Sequence, residues 1–264
     1  MRTFVIADAH GYPELIQNAL RHGGFEPGRD AFVYAGDLVD RGPDATGCIA
    51  LVEAYATEVL FGNHDVAALL DLEVYPQNAE SPGFRSFFRE KALTPEWSRA
   101  WKVATCIEGV LITHAGVSEE YERVFAEECG SDPARLADHL NAIFLALVKR
   151  EPPVRDWREH DMLADNGLFW FRPRPYSYLG PLPGCPQVVG HTPPLARLQE
   201  DGFHMIDPCA CEWEWTGAPG WYRYAVIEAG RVRVEEGSLL DSVGPLEAKT
   251  SPRPPMEEQE FVSE

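Results

Sequence analysis

Short apolar runs alternate with amphipathic stretches along most of the chain, and the apolar runs repeatedly end in polar clusters. Thr3-Phe4-Val5-Ile6-Ala7 is β-branched and aromatic, and predicts a strand ending at Asp8-Ala9-His10-Gly11. Pro13 then stands where a first helical turn tolerates it. Leu15, Ile16, Ala19 and Leu20 follow at helical spacing until Gly23-Gly24 stops the helix. Ala31 to Ala35 predicts a second strand, followed by Gly36-Asp37-Leu38-Val39-Asp40-Arg41-Gly42 and a helix from about Asp44 to Tyr55. Glu58-Val59-Leu60-Phe61 predicts a third strand, ending in Gly62-Asn63-His64-Asp65. Strands and helices alternating in this way imply a largely parallel sheet with helices packed against it.

From Tyr75 to Trp101 the pattern changes. Pro76, Pro82, Gly83 and Pro95 punctuate a polar segment crowded with Phe84, Phe87, Phe88, Trp97 and Trp101. It reads either as a small helical insertion capping the site or as a helix whose aromatics pack onto the sheet. Val110 to Thr113 is a further strand, ending at His114-Ala115-Gly116. Helices are expected over Glu119 to Cys129 and Pro133 to Lys149. After a proline-rich stretch from Arg150 to Pro186, Gln187 to Gly190 is a strand ending at His191-Thr192. Phe203 to Asp207, Tyr222 to Glu228 and Val232 to Glu236 are expected to form an antiparallel meander. The expected organisation is one α/β (α+β) domain over 1–243 with an insertion near 75–101. A disordered acidic tail is expected over 244–264.

Composition narrows the partners. The net charge of −19 argues against nucleic acid, whose phosphates need clustered Lys and Arg. A small phosphorylated substrate stays compatible, because a bound cation reverses the local field. Charged and polar residues interrupt the first ten positions, and no run of about 18 apolar residues occurs, so neither a secretory leader nor a membrane span is expected. The six cysteines lack paired C-x-x-C spacing. Cys185 with Cys209 and Cys211 offers a metal or disulfide alternative, but reduced thiols in a cytoplasmic protein are the expectation.

The residues that end strands are Asp8, His10, Asp37, Asn63, His114 and His191. A lone charged turn such as Gly36–Gly42 is equally well a surface ion pair, and His22, His139, His160 and His204 read as surface or capping residues. Repetition at several strand ends is different, since open α/β sheets bind ligands at that edge. Imidazoles and oxygen donors without thiolate suit manganese, with iron or zinc as alternatives. Six such ligands exceed the needs of one open metal site but suit two metals sharing a carboxylate. Asp37 is the natural bridge, lying on the strand between those that carry Asp8 and Asn63.

These motifs, in this order between positions 8 and 192, resemble those of the calcineurin-like metallophosphoesterases. Val39-Asp40-Arg41-Gly42 is similar to the phosphoprotein phosphatase branch, which includes bacterial serine/threonine phosphatases and symmetrical diadenosine tetraphosphate hydrolases. Two positions depart from the pattern: Ala7 where the family usually has Gly, and Asp65 where the branch usually has Glu. The resemblance implies a β-sandwich flanked by helices and two divalent metal ions, one on Asp8, His10 and Asp37, the other on Asp37, Asn63, His114 and His191. It implies in-line attack on phosphorus by a hydroxide held between the cations. His64 is then the general acid, oriented by Asp40, while Arg41 and Asn63 face the phosphate. Arg172 is the expected second arginine, with Arg174 and Arg155 as rivals.

The leading expectation is therefore a phosphomonoesterase acting on phosphoproteins. The alternative is a dinucleoside polyphosphate hydrolase, and a non-catalytic metal-binding scaffold is a third reading, one that predicts decay among ligands that are all present.

Overall fold

The computed structural model describes residues 1–93, 101–150, 162–194, 202–208 and 220–239. Two mixed sheets pack face to face. The first has the strand order β10-β9-β1-β2-β3-β4, the second β5-β6-β7-β8. In the first, β1 (Thr3–Ile6), β2 (Ala31–Ala35), β3 (Glu58–Leu60) and β4 (Trp101–Lys102) run parallel. The long hairpin of β9 (Trp221–Glu228) and β10 (Arg231–Ser238) joins β1 antiparallel. In the second sheet, β5 (Ala104–Ile107) is antiparallel to β6 (Val110–Thr113), and β7 (Gln187–Val189) and β8 (Phe203–Met205) continue in parallel.

Alternation along the strands decides which face meets what. Val5, Ala7, Val33, Ala35 and Leu60 pack against Val110, Ile112 and Val188 of the other sheet. Their neighbours Phe4, Ile6, Phe32, Tyr34 and Phe61 point the opposite way, into the larger core beneath the helices. That core takes apolar side chains from α1 (Pro13–His22), α2 (Ala45–Tyr55), α3 (Asn63–Leu70), α4 (Arg85–Leu93) and α5 (Pro133–Lys149). Asp44 caps α2 by accepting from the Gly47 amide at 2.7 Å. Asp132 caps α5 through the Ala134 amide at 2.9 Å, with Pro133 in the first turn.

Two expectations need correction, and two strands were not anticipated. β8 joins the second sheet beside β7 rather than a meander with β9. Phe203 and Met205 find apolar partners there in Phe171, Leu179 and Val189. The expected helix over Glu119 to Cys129 is a 3₁₀ turn at Glu119–Tyr121 followed by a π-helical turn at Val124–Glu128. The bond from Cys129 N to Val124 O, 3.0 Å, widens this last turn and brings Val124, Phe125 and Cys129 into one core. Finally, β4 and β5 have no counterpart in the sequence reading. β4, with only two residues, has no periodicity to detect. The crossing between the sheets is held by Asn141 of α5, whose Oδ1 accepts from the Val103 and Ala104 amides at 3.0 and 3.1 Å.

In the 75–101 segment, Phe88 and Trp101 are buried. Their rings pack on Phe61 with centroids 5.9 and 5.6 Å away. Trp97 lies outside the described residues, as do Arg155, His160, Cys209, Cys211 and the 244–264 tail. Cys185 is a buried free thiol. Among the described residues no helix is long and apolar enough to cross a membrane.

Candidate functional site

The carboxyl ends of β1, β2, β3, β6 and β7 meet at one edge of the sandwich. They bring Asp8, His10, Asp37, Asp40, Asn63, His64, His114 and His191 together, all of them buried. Parallel neighbours end side by side, so residues far apart in sequence converge there. The turns that follow these strands are tight. Asp8, His10, Asp37, Asp40, Arg41 and His191 all have φ between 43 and 70°. Each such non-glycine residue costs about 1 kcal/mol or more. Cross-loop bonds offset that cost: Asp8 N to Gly36 O (2.9 Å), His10 N to Asp37 O (3.0 Å) and Gly42 N to His10 O (2.8 Å). The Tyr34 hydroxyl ties the first two loops together, donating to Asp37 O at 2.8 Å and accepting from Ala9 N at 2.9 Å. Gly36, at φ 95°, admits no side chain: a Cβ would stand 2.6 Å from Gly62 Cα and 2.7 Å from His114 Nδ1.

Asp37 is the shared member. Potential ligand atoms of His10, Asp37 and His64 lie within 4.8 Å of one another, and so do those of Asp8, Asp37 and His114. By distance alone His64 falls in the first group, although the resemblance gives it the role of acid and pairs Asp8 with His10. The Asn63 amide oxygen sits 2.9 Å from His114 Nε2 and 3.1 Å from His191 Nδ1. His10 Nδ1 pairs with Val39 O at 2.8 Å and His114 Nδ1 with Ala35 O at 2.9 Å. Such contacts fix the tautomer and leave Nε2 as a lone-pair donor. Among the described residues, His10 Nε2 and His191 Nε2 are buried and make no hydrogen bond, although His10 Nε2 faces Asp37 Oδ2 at 3.2 Å, a costly arrangement for protein alone. Orphaned imidazole nitrogens beside clustered carboxylates fit divalent cations.

The electrostatics agree. Burial, then Arg41, pushes the His10 imidazole down to about 4. Burial and Arg172 hold His191 well below the usual range, and burial lowers His114. These rings are neutral near neutral pH, as metal ligands must be. Burial alone would raise the Asp37 carboxyl, but His114, His64 and His10 outweigh it and hold it well below the ordinary carboxylate range. Asp8 goes the other way, raised by burial and by the charges of Asp207 and Asp37.

Two of these groups escaped the sequence reading. Asp207 follows β8 and is buried beside Asp8. Asp65 is fully buried and accepts from three backbone amides, Asp37 N (2.8 Å), Leu38 N (2.9 Å) and Gly62 N (3.0 Å). It is pushed up to about 7 by burial and then by Asp37. Its signal was its place in the first turn of a helix, where a carboxylate readily accepts backbone bonds.

Above this floor lies a cavity of about 300 Å³. It is lined by Asp8, Asp37, Arg41, Asn63, His64 and His191 from the strand-end loops, together with Glu73, Val74, Tyr75, Trp170 and Arg172. Arg172 donates to His191 O at 2.9 Å. Arg174 is exposed and turns away, to Tyr178 O at 3.2 Å and Glu119 at 3.5 Å. His64 Nδ1 meets Asp40 Oδ2 at 2.6 Å.

The sequence pattern of the calcineurin-like phosphoesterase family matches residues 1–213. The chain belongs to this family. Members are metallophosphoesterases, and the two Asp37-centred groups of this chain are able to bind metal. A symmetrical bis(5'-nucleosyl)-tetraphosphatase from Glaesserella parasuis serovar 5 is 30% identical over 165 residues, 60% of each chain. Serine/threonine-protein phosphatase 1 of Salmonella typhimurium is 41% identical over 66 residues, 25% of this chain and 31% of that one. The chain thus matches less than two thirds of the length of these relatives. Among solved structures, a cold-active protein tyrosine phosphatase superposes with a TM-score of 0.58 at 17% identity, covering 88% of this calcineurin-like chain and 78% of that one. At that identity the likeness is one of fold.

Proposed function

We propose that this chain is a phosphoester hydrolase dependent on two divalent cations, manganese first among the candidates, with iron or zinc as alternatives. The observation that carries this reading is the position of Asp37, whose carboxylate is common to two separate groups of buried ligand atoms. Asp8, His10 and Asp37 would hold one cation, and Asp37, Asn63, His114 and His191 the other. Such ions, when bound, neutralise phosphoryl oxygens and acidify a coordinated water.

The chain's own residues do the rest. Arg41 and Arg172 both line the cavity and offer planar forks of donors to phosphate oxygens. His64 has Nδ1 committed to Asp40, so Nε2 is the atom left to protonate a departing alkoxide. It also shares a group of ligand atoms with His10 and Asp37, and the metal content of a His64→Asn variant separates the roles.

The preferred substrate is a phosphomonoester on a phosphoprotein, because an open cavity with two arginines needs little beyond the phosphate. A second reading, hydrolysis of a dinucleoside polyphosphate, is favoured by Tyr75 and Trp170 on the cavity wall, where a base could stack. The longer of the two matches, to a bis(5'-nucleosyl)-tetraphosphatase, supports it equally. The free thiols of Cys48, Cys106, Cys129 and Cys185 support a reducing, cytoplasmic setting.

The test is a side-by-side rate comparison on phosphoserine, phosphothreonine and phosphotyrosine peptides and on diadenosine tetraphosphate. A higher kcat/KM on a phosphopeptide supports the first reading, and the reverse order supports the second. Turnover of none of them under any divalent metal would overturn both.

A further inference from the structure

Asp40 uses both of its oxygens. Oδ2 faces His64 Nδ1 at 2.6 Å, while Oδ1 accepts from the Asn78 backbone amide at 2.9 Å and from the Ser81 hydroxyl. Asn78 also donates through Nδ2 to Gly42 O at 3.1 Å, closing the end of the same turn. Ser81 and Asp40 are both 1% exposed, so no water replaces the hydroxyl. Both donors come from residues 71–81, which is mostly exposed up to Ser81 and sends Glu73, Val74 and Tyr75 to the cavity wall. A carboxylate held at one oxygen can swing about its terminal torsion, which is broad and soft. Held at both, it presents a fixed edge to the imidazole.

We propose that Ser81, with Asn78, is a positioning residue for proton donation: it locks the Asp40 carboxylate and thereby fixes the direction of His64. This rests on the phosphoesterase reading and adds a component beyond the metal and phosphate ligands. The segment that shapes the cavity wall is tied through these two residues to the side chain that serves the leaving group.

The consequence is a dependence on the leaving group. An ester that departs as a strong base, such as phenyl phosphate, needs the proton, whereas p-nitrophenyl phosphate departs largely without it. General-acid catalysis contributes about 10²-fold or more. Loosening the acid's partner should forfeit part of that, about tenfold in kcat on phenyl phosphate for Ser81→Ala. The same variant should lose less than about twofold on p-nitrophenyl phosphate, with KM and metal content unchanged. Ser81→Thr, which keeps the hydroxyl, should restore the phenyl phosphate rate. Asn78→Ala, which leaves the backbone donor in place, should show a smaller loss with the same selectivity. Equal losses on both esters, or none on either, in a parent active on both would overturn the positioning role alone. A parent that hydrolyses neither ester removes the phosphoesterase reading, and this inference with it.

Discussion

His64 Nδ1 stands 2.6 Å from Asp40 Oδ2, and the two side chains are 2% and 0% exposed. His64 belongs to one of the metal-capable groups, yet its Nδ1 is committed to Asp40. Replacing His64 with Asn should lower kcat on phenyl phosphate by about 100-fold or more while metal content holds. Steady-state rates with metal analysis on the same preparation decide it. Loss of metal in step with activity would make His64 a ligand instead.

Asp37 is common to both groups of ligand atoms, so its replacement should act on two cations at once. An Asp37→Asn chain, dialysed against buffer and analysed for metals, should retain less than about half the parent's content. Asp8→Asn, which touches one group, should lose less. An Asp37→Asn chain with undiminished metal would contradict the shared position.

Asp65 is a matter of architecture. Three buried backbone amides depend on its carboxylate, and each loses its partner in Asp65→Ala. At about 1–3 kcal/mol for each orphaned group, the variant should be destabilised by roughly 3 kcal/mol or more in urea unfolding. A loss under about 1 kcal/mol would show that the loops do not rely on it.

The neutral imidazoles make the metal-free chain sensitive to acid. His10 titrates at about 4 in the fold against 6.5 in its ordinary state. Between those values the unfolded chain binds a proton there and the folded chain does not. The contribution is therefore complete above pH 6.5 and lost as pH falls towards 4. His114 and His191, also lowered, act in the same direction. Asp65 opposes them. Raised from 3.8 to about 7, it holds its proton in the fold, and its contribution is lost as pH rises through about 7. With metal removed by a chelator, the urea midpoint of a His10→Asn chain should fall less between about pH 7 and about pH 5 than that of the parent. Parallel falls would contradict the buried, neutral state of His10.

What could be read from the sequence was what period and punctuation record. β1, β2, β6 and α5 are continuous in pattern, and each strand that feeds the site announces itself by an apolar run stopping at a polar residue. Asp8, His10, Asp37, Asn63, His114 and His191 were legible for that reason. Asp65, Asn78, Ser81 and Asp207 were not, because their importance lies in what they touch. Ser81 is 41 positions from Asp40, and nothing local marks a serine as the partner of a distant carboxylate. β8 was placed in the wrong sheet because three residues of alternating pattern fit either one, and tertiary contacts to Phe171 and Val189 decide between them.

The central claim is that two cations gathered around Asp37 are required for phosphoester hydrolysis. It is tested most directly by stripping the protein with a chelator and titrating manganese back while following phenyl phosphate turnover. Activity should be absent without metal and should reach its plateau at about two equivalents per chain. Full activity in the folded, metal-free protein would contradict it.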